Sequence, residues 1–293
     1  MLPAVSSTGR VIETPAPGGR AVFYVPDRPL SGLVNSIWLY EAVAPPHARE
    51  RVLSSGSMQL IINLRDNELQ VSDPDGPSEP KSFPGSLLCG AHSEPFLIDT
   101  VHQSSIMGVH FRPGGAFPFL GPPAAEFRNT HVSLEAVWGT AAGELRERMA
   151  EAEAPGEKLR ILAEALLEQA TGPLVRRPAV SFALKAFRGG VPAGTVAEVT
   201  EQVGLSARRF IQVFSEEVGL TPKLFSRVQR FQKALRMIRR HGDVDWAEVA
   251  ATSGYFDQSH LIHDFREFSG LSPNAYLPHR GPHINHVAFS EPS

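Results

Sequence analysis

Two polar clusters near the C-terminal end of the chain carry side chains suited to one kind of chemistry, hydrogen bonding to the edges of nucleic-acid bases. The first cluster is Arg208, Arg209 and Gln212. The second, 51 residues on, is Ser259, His260 and His263, preceded by Gln258. An arginine donates two bonds to guanine O6 and N7, and a glutamine pairs with adenine N6 and N7. Just before each cluster stands Ser206 or Asp257, of the type whose side-chain oxygen accepts from the free N–H groups at a helix start. Asp257 also has the chemistry to accept from a cytosine amino group, but a helix cap is its first reading.

The elements that must hold these clusters are visible as a repeat. Val196–Phe225 reads VAEVTEQVGLSARRFIQVFSEEVGLTPKLF, and Trp246–Tyr276 reads WAEVAATSGYFDQSHLIHDFREFSGLSPNAY. The offset is 50 residues up to Gly204/Gly254 and 51 from Ser206/Asp257 onward, so one extra residue sits in the turn. In each copy a short apolar-periodic helix stops at a glycine, which tolerates the left-handed conformation that ends a helix. The next helix puts Phe210, Val213 and Phe214, or Leu261 and Phe265, on one buried face at i, i+3, i+4 spacing. Each copy closes on Gly-Leu-Thr-Pro or Gly-Leu-Ser-Pro, in which Gly ends a helix, Thr or Ser caps the next and Pro opens it. Two helix–turn–helix units follow, the unit that places a helix in the major groove of DNA. A basic helix from about Pro222 to Arg240 joins them. Its Lys223, Arg227, Arg230, Lys233, Arg236, Arg239 and Arg240 are either phosphate contacts or a solvated basic face.

The segment from about Pro178 to Arg280 resembles the DNA-binding domain of AraC-type transcriptional regulators. SGYFDQSHLIHDFREFSGLSPNAY carries the resemblance most specifically. The resemblance implies seven helices, with the two recognition helices entering successive major grooves about 34 Å apart. It places Arg208, Ile211 and Gln212 at base-facing positions, with Ile211 against a thymine methyl. In the second copy the corresponding residues are Gln258, Ser259, His260 and His263, where His263 stands in place of a more usual Arg or Lys. Arg227 and Arg230 are the expected backbone contacts. RNA polymerase is an implied partner, and double-stranded promoter DNA the implied ligand.

The N-terminal half has another texture. Short runs such as Met58–Leu64, Glu68–Val71, Ser86–Cys89, Phe96–Ile98 and Ser105–Phe111 read as strands. Asp73–Pro77 reads as a turn between two of them. Many short strands at this spacing predict a small barrel or sandwich. Arg51–Leu64 and Gly108–Gly121 resemble the cupin-like sensor domain that precedes the DNA-binding domain in one branch of the same family. The fold class expected is therefore α+β, a cupin-like β-barrel with flanking helices followed by an all-α domain. The implied role of the barrel is to bind a small-molecule effector. Trp38, Arg51, Gln59, Asn63, His92, His110 and Arg112, with His47, are the candidate pocket residues; for each, a structural role is the competing reading.

Helical spacing of Leu134, Val137, Trp138, Ala141, Leu145 and Met149, then of Leu159, Leu162, Ala163, Leu166 and Ala170, predicts a two-helix bridge. It either packs within one chain or forms a homodimer. The expected divisions are a flexible leader at 1–20, the sensor domain at 21–130 and the bridge at 131–170. A linker at 171–178, the DNA-binding domain at 179–280 and a flexible tail at 281–293 complete them.

Composition fits this plan. At 293 residues two domains are expected. The net charge of −3 hides a division. Residues 176–280 carry 15 Lys and Arg against 10 Asp and Glu, whereas the remainder carries 13 against 21. The basic charge thus travels with the repeat, as a nucleic-acid footprint does. The single cysteine, Cys89, allows no intrachain disulfide and suits a reducing cytoplasm. No apolar stretch is long enough to span a bilayer, and the first residues lack a signal core, so a cytoplasmic location with no membrane partner is expected.

Enzymatic chemistry is not expected. There is no Walker A loop and no GxGxxG after a strand. His47, His92, His102 and His110 show no His-x-His spacing, so no metal or cofactor is expected. Cys89, in the apolar run Leu-Leu-Cys-Gly, reads as a buried small hydrophobe. Two other functions stay in view. One is a constitutive DNA-binding factor whose barrel serves only for dimerisation or protein contacts. The other is a metal-dependent cupin enzyme fused to a DNA-binding domain.

Overall fold

The structure is a computed structural model that describes all residues except 1–8, 17, 44–46, 75–78, 189–195, 241–243, 280, 282 and 290–293. Part of the expected Asp73–Pro77 turn and the start of the leader lie outside the described residues. Twelve strands are described: β1 Arg10–Ala16, β2 Gly19–Val25, β3 Val34–Ala42, β4 Arg49–Val52, β5 Gln59–Asn63, β6 Leu69–Ser72, β7 Lys81–Phe83, β8 Ser86–Cys89, β9 Phe96–Asp99, β10 Ser105–Phe111, β11 His131–Ser133 and β12 His286–Ala288. They form two antiparallel sheets, one ordered β1-β2-β3-β10-β5-β8-β11 and one ordered β12-β4-β9-β6-β7.

The sheets form because their strands alternate. In β5, Leu60 and Ile62 are buried in the main core while Gln59 and Ile61 face the other way. A separate small core of Leu69, Val71, Leu87, Cys89 and Ile106 lies between the sheets. Within the expected flexible leader, residues 10–16 are ordered as a strand. Arg10–Ala16 pairs with β2 along its whole length, because Val11–Ile12 and Val22–Phe23 give both strands β-branched or aromatic residues.

The bridge consists of α1 Leu134–Trp138, α2 Thr140–Glu151 and α3 Pro155–Glu168. Its buried side chains include Leu145, Met149, Leu159, Leu162 and Leu166. They pack within this chain, with α3 against β3. Then come α4 Pro178–Arg188, α5 Val196–Val203, α6 Ala207–Val218, α7 Pro222–Arg240, α8 Trp246–Ser253, α9 Gln258–Ser269 and α10 Pro273–Tyr276. The seven helices of the resemblance are thus present among the described residues. Ser206 accepts from Arg209 N, Asp257 from His260 N and Ser272 from Ala275 N, so each expected cap is made. Gly219 and Gly270 end α6 and α9 in the left-handed region, at φ 90° and 69°.

The two halves share one continuous core. Helix α6 packs on the turn Ala124–Phe127 that follows the barrel. Gln232 of α7 donates to Ser54 O and to Asn285 Oδ1, at 2.7 and 2.8 Å. Ser54 N donates to Phe268 O. The tail departs most clearly from expectation. Instead of a flexible end, residues 286–288 form β12 and pair with β4, His286 opposite Val52 and Ala288 opposite Glu50. Val287 is 3% exposed. Burying such a side chain contributes about 1.5–3 kcal/mol, enough to hold a short edge strand whose amides also gain partners.

Where α6 meets the segment before α4, Glu217 is 2% exposed. Its Oε2 accepts from Arg177 N at 3.3 Å, while Oε1 has no partner. Burial pushes this carboxyl up to about 7, against smaller opposing effects of the Arg177 N–H and the Arg177 and Arg176 charges. The native state therefore holds a proton that the unfolded chain releases near pH 4.5. Stability falls as pH rises between those values. Glu217→Gln should match the parent near pH 5 and exceed it by about 1–3 kcal/mol at pH 8. Urea unfolding at both pH values measures this; a difference independent of pH would contradict it.

Candidate DNA interface and sensor cavity

Helix α6 presents the first polar cluster. Phe210, Val213 and Phe214 are buried, which turns Arg208, Arg209, Ile211 and Gln212 outward. Ile211 is 42% exposed, which no core role explains. Arg209 Nη1 donates to Gln212 Oε1 at 3.0 Å, and Gln212 Nε2 donates to Glu216 Oε1 at 2.8 Å. Arg208 makes no hydrogen bond or ion pair among the described residues. Its fork is available to a ligand.

Helix α9 presents the second cluster. Gln258, Ser259 and His263 are exposed. His263 Nε2 lies 3.4 Å from a Glu267 oxygen. His260 is half-buried, its ring edge-on to Tyr255 at 5.4 Å. It is thus less exposed than Gln258, Ser259 and His263. Phe256, in the turn before α9, is 94% exposed; the repeat, in which it is the inserted residue, did not mark it.

The basic helix α7 divides its charges. Arg227 is held by two carboxylates. Its Nε and Nη2 donate to Asp264 Oδ1, at 3.2 and 2.6 Å, and its Nη1 donates to Glu267 Oε1 at 3.0 Å. Burial works against the guanidinium charge, but the hydrogen bonds to Glu267 and Asp264 outweigh it and raise the Arg227 pKa. Asp264 is fully buried. A buried carboxylate needs such a partner, because an uncompensated charge in the interior is strongly destabilising. Arg227 thus ties α7 to α9. Arg230 stacks on Tyr255 at 5.3 Å and lies 4.0 Å from Asp264.

A second site lies between the two sheets. It is a cavity of about 320 Å³ lined by aromatic and aliphatic side chains with a rim of imidazoles. Trp38, Gln59 and His110 line it, as does His47. Trp38 Nε1 is buried and has no hydrogen-bond partner. A cavity with an apolar wall and a few unpaired polar groups is the usual form of a small-molecule site. Burial brings His110 down to about 4, with help from His286 and His283. Burial likewise brings His131 down to about 3 and His92 to about 4, and pushes the Cys89 thiol up to about 12. The walls are therefore neutral at physiological pH along this side.

Four expected pocket residues lie elsewhere. Arg51 is 8% exposed at the domain junction, where its Nη1 donates to Ser269 O and its guanidinium sits over Phe289. Asn63 is fully buried and pins a turn, donating to Glu68 O and His102 O and accepting from Arg65 N and Asp66 N. Arg112 Nε donates to Ser31 O and Val34 O, which anchors the turn after β10. His92 stacks on His131 and Phe96 just behind the cavity wall.

Several cavity residues were not singled out in the sequence, among them a group from the end of the DNA-binding segment and from the tail. His279, Gly281, His283, His286 and Ala288 close one side of the cavity. Glu50 accepts from both His47 and His286 at 2.6 Å. Burial works to raise the Glu50 carboxyl, but these two partners outweigh it and bring it to about 2. The alternation of Val287 and Phe289 was the one available signal of a strand there.

Comparison with known proteins follows this division. Residues 22–133 match the model of a domain of unknown function (DUF6597). Residues 199–279 match that of a helix-turn-helix domain, which spans both units from within α5 to the turn after α10. The C-terminal region is an AraC-type helix–turn–helix domain. Among curated proteins, none matches the chain. Among solved structures, ToxT from Vibrio cholerae matches over 82% of this chain and 97% of its own, at 8% identity and a TM-score of 0.46. The C-terminal domain of AraT, a response regulator from Geobacillus stearothermophilus, matches over 40% and 92%, at 22% identity and a TM-score of 0.34. An AraC-type transcriptional regulator from Chromobacterium violaceum matches over 36% and 94%, at 15% identity and a TM-score of 0.33. Residues 199–279 are thus a DNA-binding helix–turn–helix domain.

In the AraC-type domain the free fork of Arg208 and the stacked guanidinium of Arg230 should behave differently. Arg208→Ala should cost about 1–3 kcal/mol on the preferred duplex and relax the choice at one base pair. Arg230→Ala should weaken all duplexes alike and reduce the salt slope of binding by about one. Titration of specific and random duplexes at several salt concentrations measures both. Equal losses for Arg208→Ala on the two duplexes would remove it from base reading.

Proposed function

We propose that this protein is an effector-controlled, sequence-specific regulator in which the barrel cavity senses a small molecule and the two helix–turn–helix units bind a promoter. One observation carries the effector half of this reading. The cavity is closed by a tail that continues directly from the second helix–turn–helix unit. A ligand in the cavity would therefore touch both the sensor and the segment leaving the DNA-binding domain. Ligand control requires unequal binding to two conformations, and a three-residue edge strand is an element cheap enough to have two. The unpaired Trp38 Nε1 and the neutral His110 favour an effector with an apolar body and at least one hydrogen-bond acceptor.

On this reading Arg208, Ile211 and Gln212 read one box, and Gln258, Ser259 and His263 read the second, with His260 as the half-buried neighbour. Arg209 and Arg230 meet phosphates, and Arg227 serves to hold α9 on α7. The AraC-type resemblance supports RNA polymerase as the protein partner at the promoter. The bridge helices α2 and α3, whose large apolar side chains are covered within one chain, favour their packing role over homodimer formation.

The test is selection of random duplexes by the full chain and by a Val287→Asp chain, in which a charge at a buried position releases the tail. The expected result is a bipartite motif with two boxes about one helical turn, 10–10.5 base pairs, apart. The two chains should differ in affinity for it. Equal affinity of both chains would remove the tail from control and leave a constitutive factor. Failure of both to enrich any motif would contradict the reading.

A further inference from the structure

Cys89 and His131 stand directly opposite one another in the β8–β11 ladder. Side chains at such a pair project from the same face, with Cβ atoms about 4.5–5.5 Å apart. His92 follows β8 by three residues and folds back, its ring centroid 4.5 Å from that of His131. The Cys89 sulfur and one ligating atom from each histidine lie within 4.8 Å of one another. We propose that Cys89, His92 and His131 bind one divalent ion of the zinc class, with a fourth coordination position open to the barrel cavity.

The donor chemistry selects the ion. One thiolate with two imidazoles suits zinc better than magnesium or calcium, which take oxygen ligands. The hydrogen bonding is also that of a ligand set. His92 Nε2 lies 3.3 Å from Thr130 O. Donation of that N–H leaves the other ring nitrogen with its lone pair, and a backbone carbonyl commonly orients a ligating imidazole in this way. His131 Nε2 is buried and has no hydrogen-bond partner.

The geometry is close to closed. Zinc bonds of about 2.3 Å to sulfur and about 2.0–2.1 Å to nitrogen place tetrahedral ligands about 3.3–3.6 Å apart. Side-chain rotations that shorten the separations between the three atoms by at most about 1.5 Å complete the set. On binding, the Cys89 S–H bond breaks, the sulfur pair goes to the metal and the proton goes to solvent. Cys89 and His131 line the cavity, so the fourth position faces it and takes water or an anionic donor such as a carboxylate. A second group of candidate ligands, His263, Asp264 and Glu267, is less free, because Asp264 already holds Arg227 at 2.6 Å.

This site stands independently of the DNA-binding reading. The test is equilibrium dialysis of the full chain against zinc under reducing conditions, followed by metal analysis. Cobalt loading then reports the ligand type through the thiolate-to-cobalt charge-transfer absorption. One zinc per chain and a charge-transfer band are expected for the wild type and for His102→Gln, which removes an exposed histidine elsewhere. Cys89→Ser should lose the band, and both it and His131→Gln should lose the stoichiometric zinc. Circular dichroism of the metal-free variants establishes that each is folded; if Cys89→Ser is not, His131→Gln and His92→Gln carry the test. Absence of the band in the wild type, or zinc uptake unchanged in the folded variants, would overturn the site and leave the cluster as aromatic packing around a buried thiol.

Discussion

The short ladder between β12 and β4 is the constraint on which the arrangement of this molecule depends. It ties the last described segment of the chain to a strand near the beginning, across more than two hundred residues. The entropy of closing so long a loop grows only with the logarithm of its length, so a few well-placed contacts suffice. Here they are the buried Val287, the carboxylate of Glu50 between His47 and His286, and the amides of Leu53 and Phe289, which donate to Asn285 O and Arg49 O. Next to them, Arg51 reaches Ser269 O and Gln232 reaches both Ser54 O and Asn285. The end of α9, the middle of α7 and the tail therefore converge on one strand of the barrel.

This convergence gives the cavity its connection to the DNA-binding half. The cavity between the sheets is lined both by the tail residues His283 and His286 and by the barrel residues Trp38 and His110. β12 is an edge strand of three residues, and edge segments with few buried side chains open at low cost. Its release would free the second helix–turn–helix unit from one of its attachments and leave the first, which is fixed separately by the packing of α6 on the Ala124–Phe127 turn. A differential affinity of a few kcal/mol is enough to shift such an equilibrium substantially. The proposed ion at Cys89, His92 and His131 would add a fixed positive charge to an otherwise neutral wall.

Much of the C-terminal half was legible from local chemistry. Ser206, Asp257 and Ser272 cap helices through bonds to residues three positions away, and Gly219 and Gly270 end them by their own conformation. Interactions of that range are written in adjacent residues. The outward face of α6, down to the exposed Ile211, follows from the same periodicity. The misreadings are non-local. Arg227 lies in a basic run, but its partners are Asp264 and Glu267, 37 and 40 residues on. Arg51 and Asn63 have the polarity of pocket residues, yet one belongs to the domain junction and the other to a turn. His131 sits in a three-residue strand whose register with Cys89 no spacing rule reveals. The tail has a weak alternation that becomes a strand only because β4 offers a free edge.

The most direct test of this arrangement is amide hydrogen exchange of the free protein, followed by peptide. The account predicts that peptides covering 284–289 and 49–54 exchange together, more slowly than an unstructured chain and faster than the central barrel strands. The protection of both should fall in concert when Val287 is replaced by Asp. Exchange of 284–289 at the rate of an unstructured chain, with the rest of the barrel protected, would contradict it, because the tail would then neither close the cavity nor join the two halves.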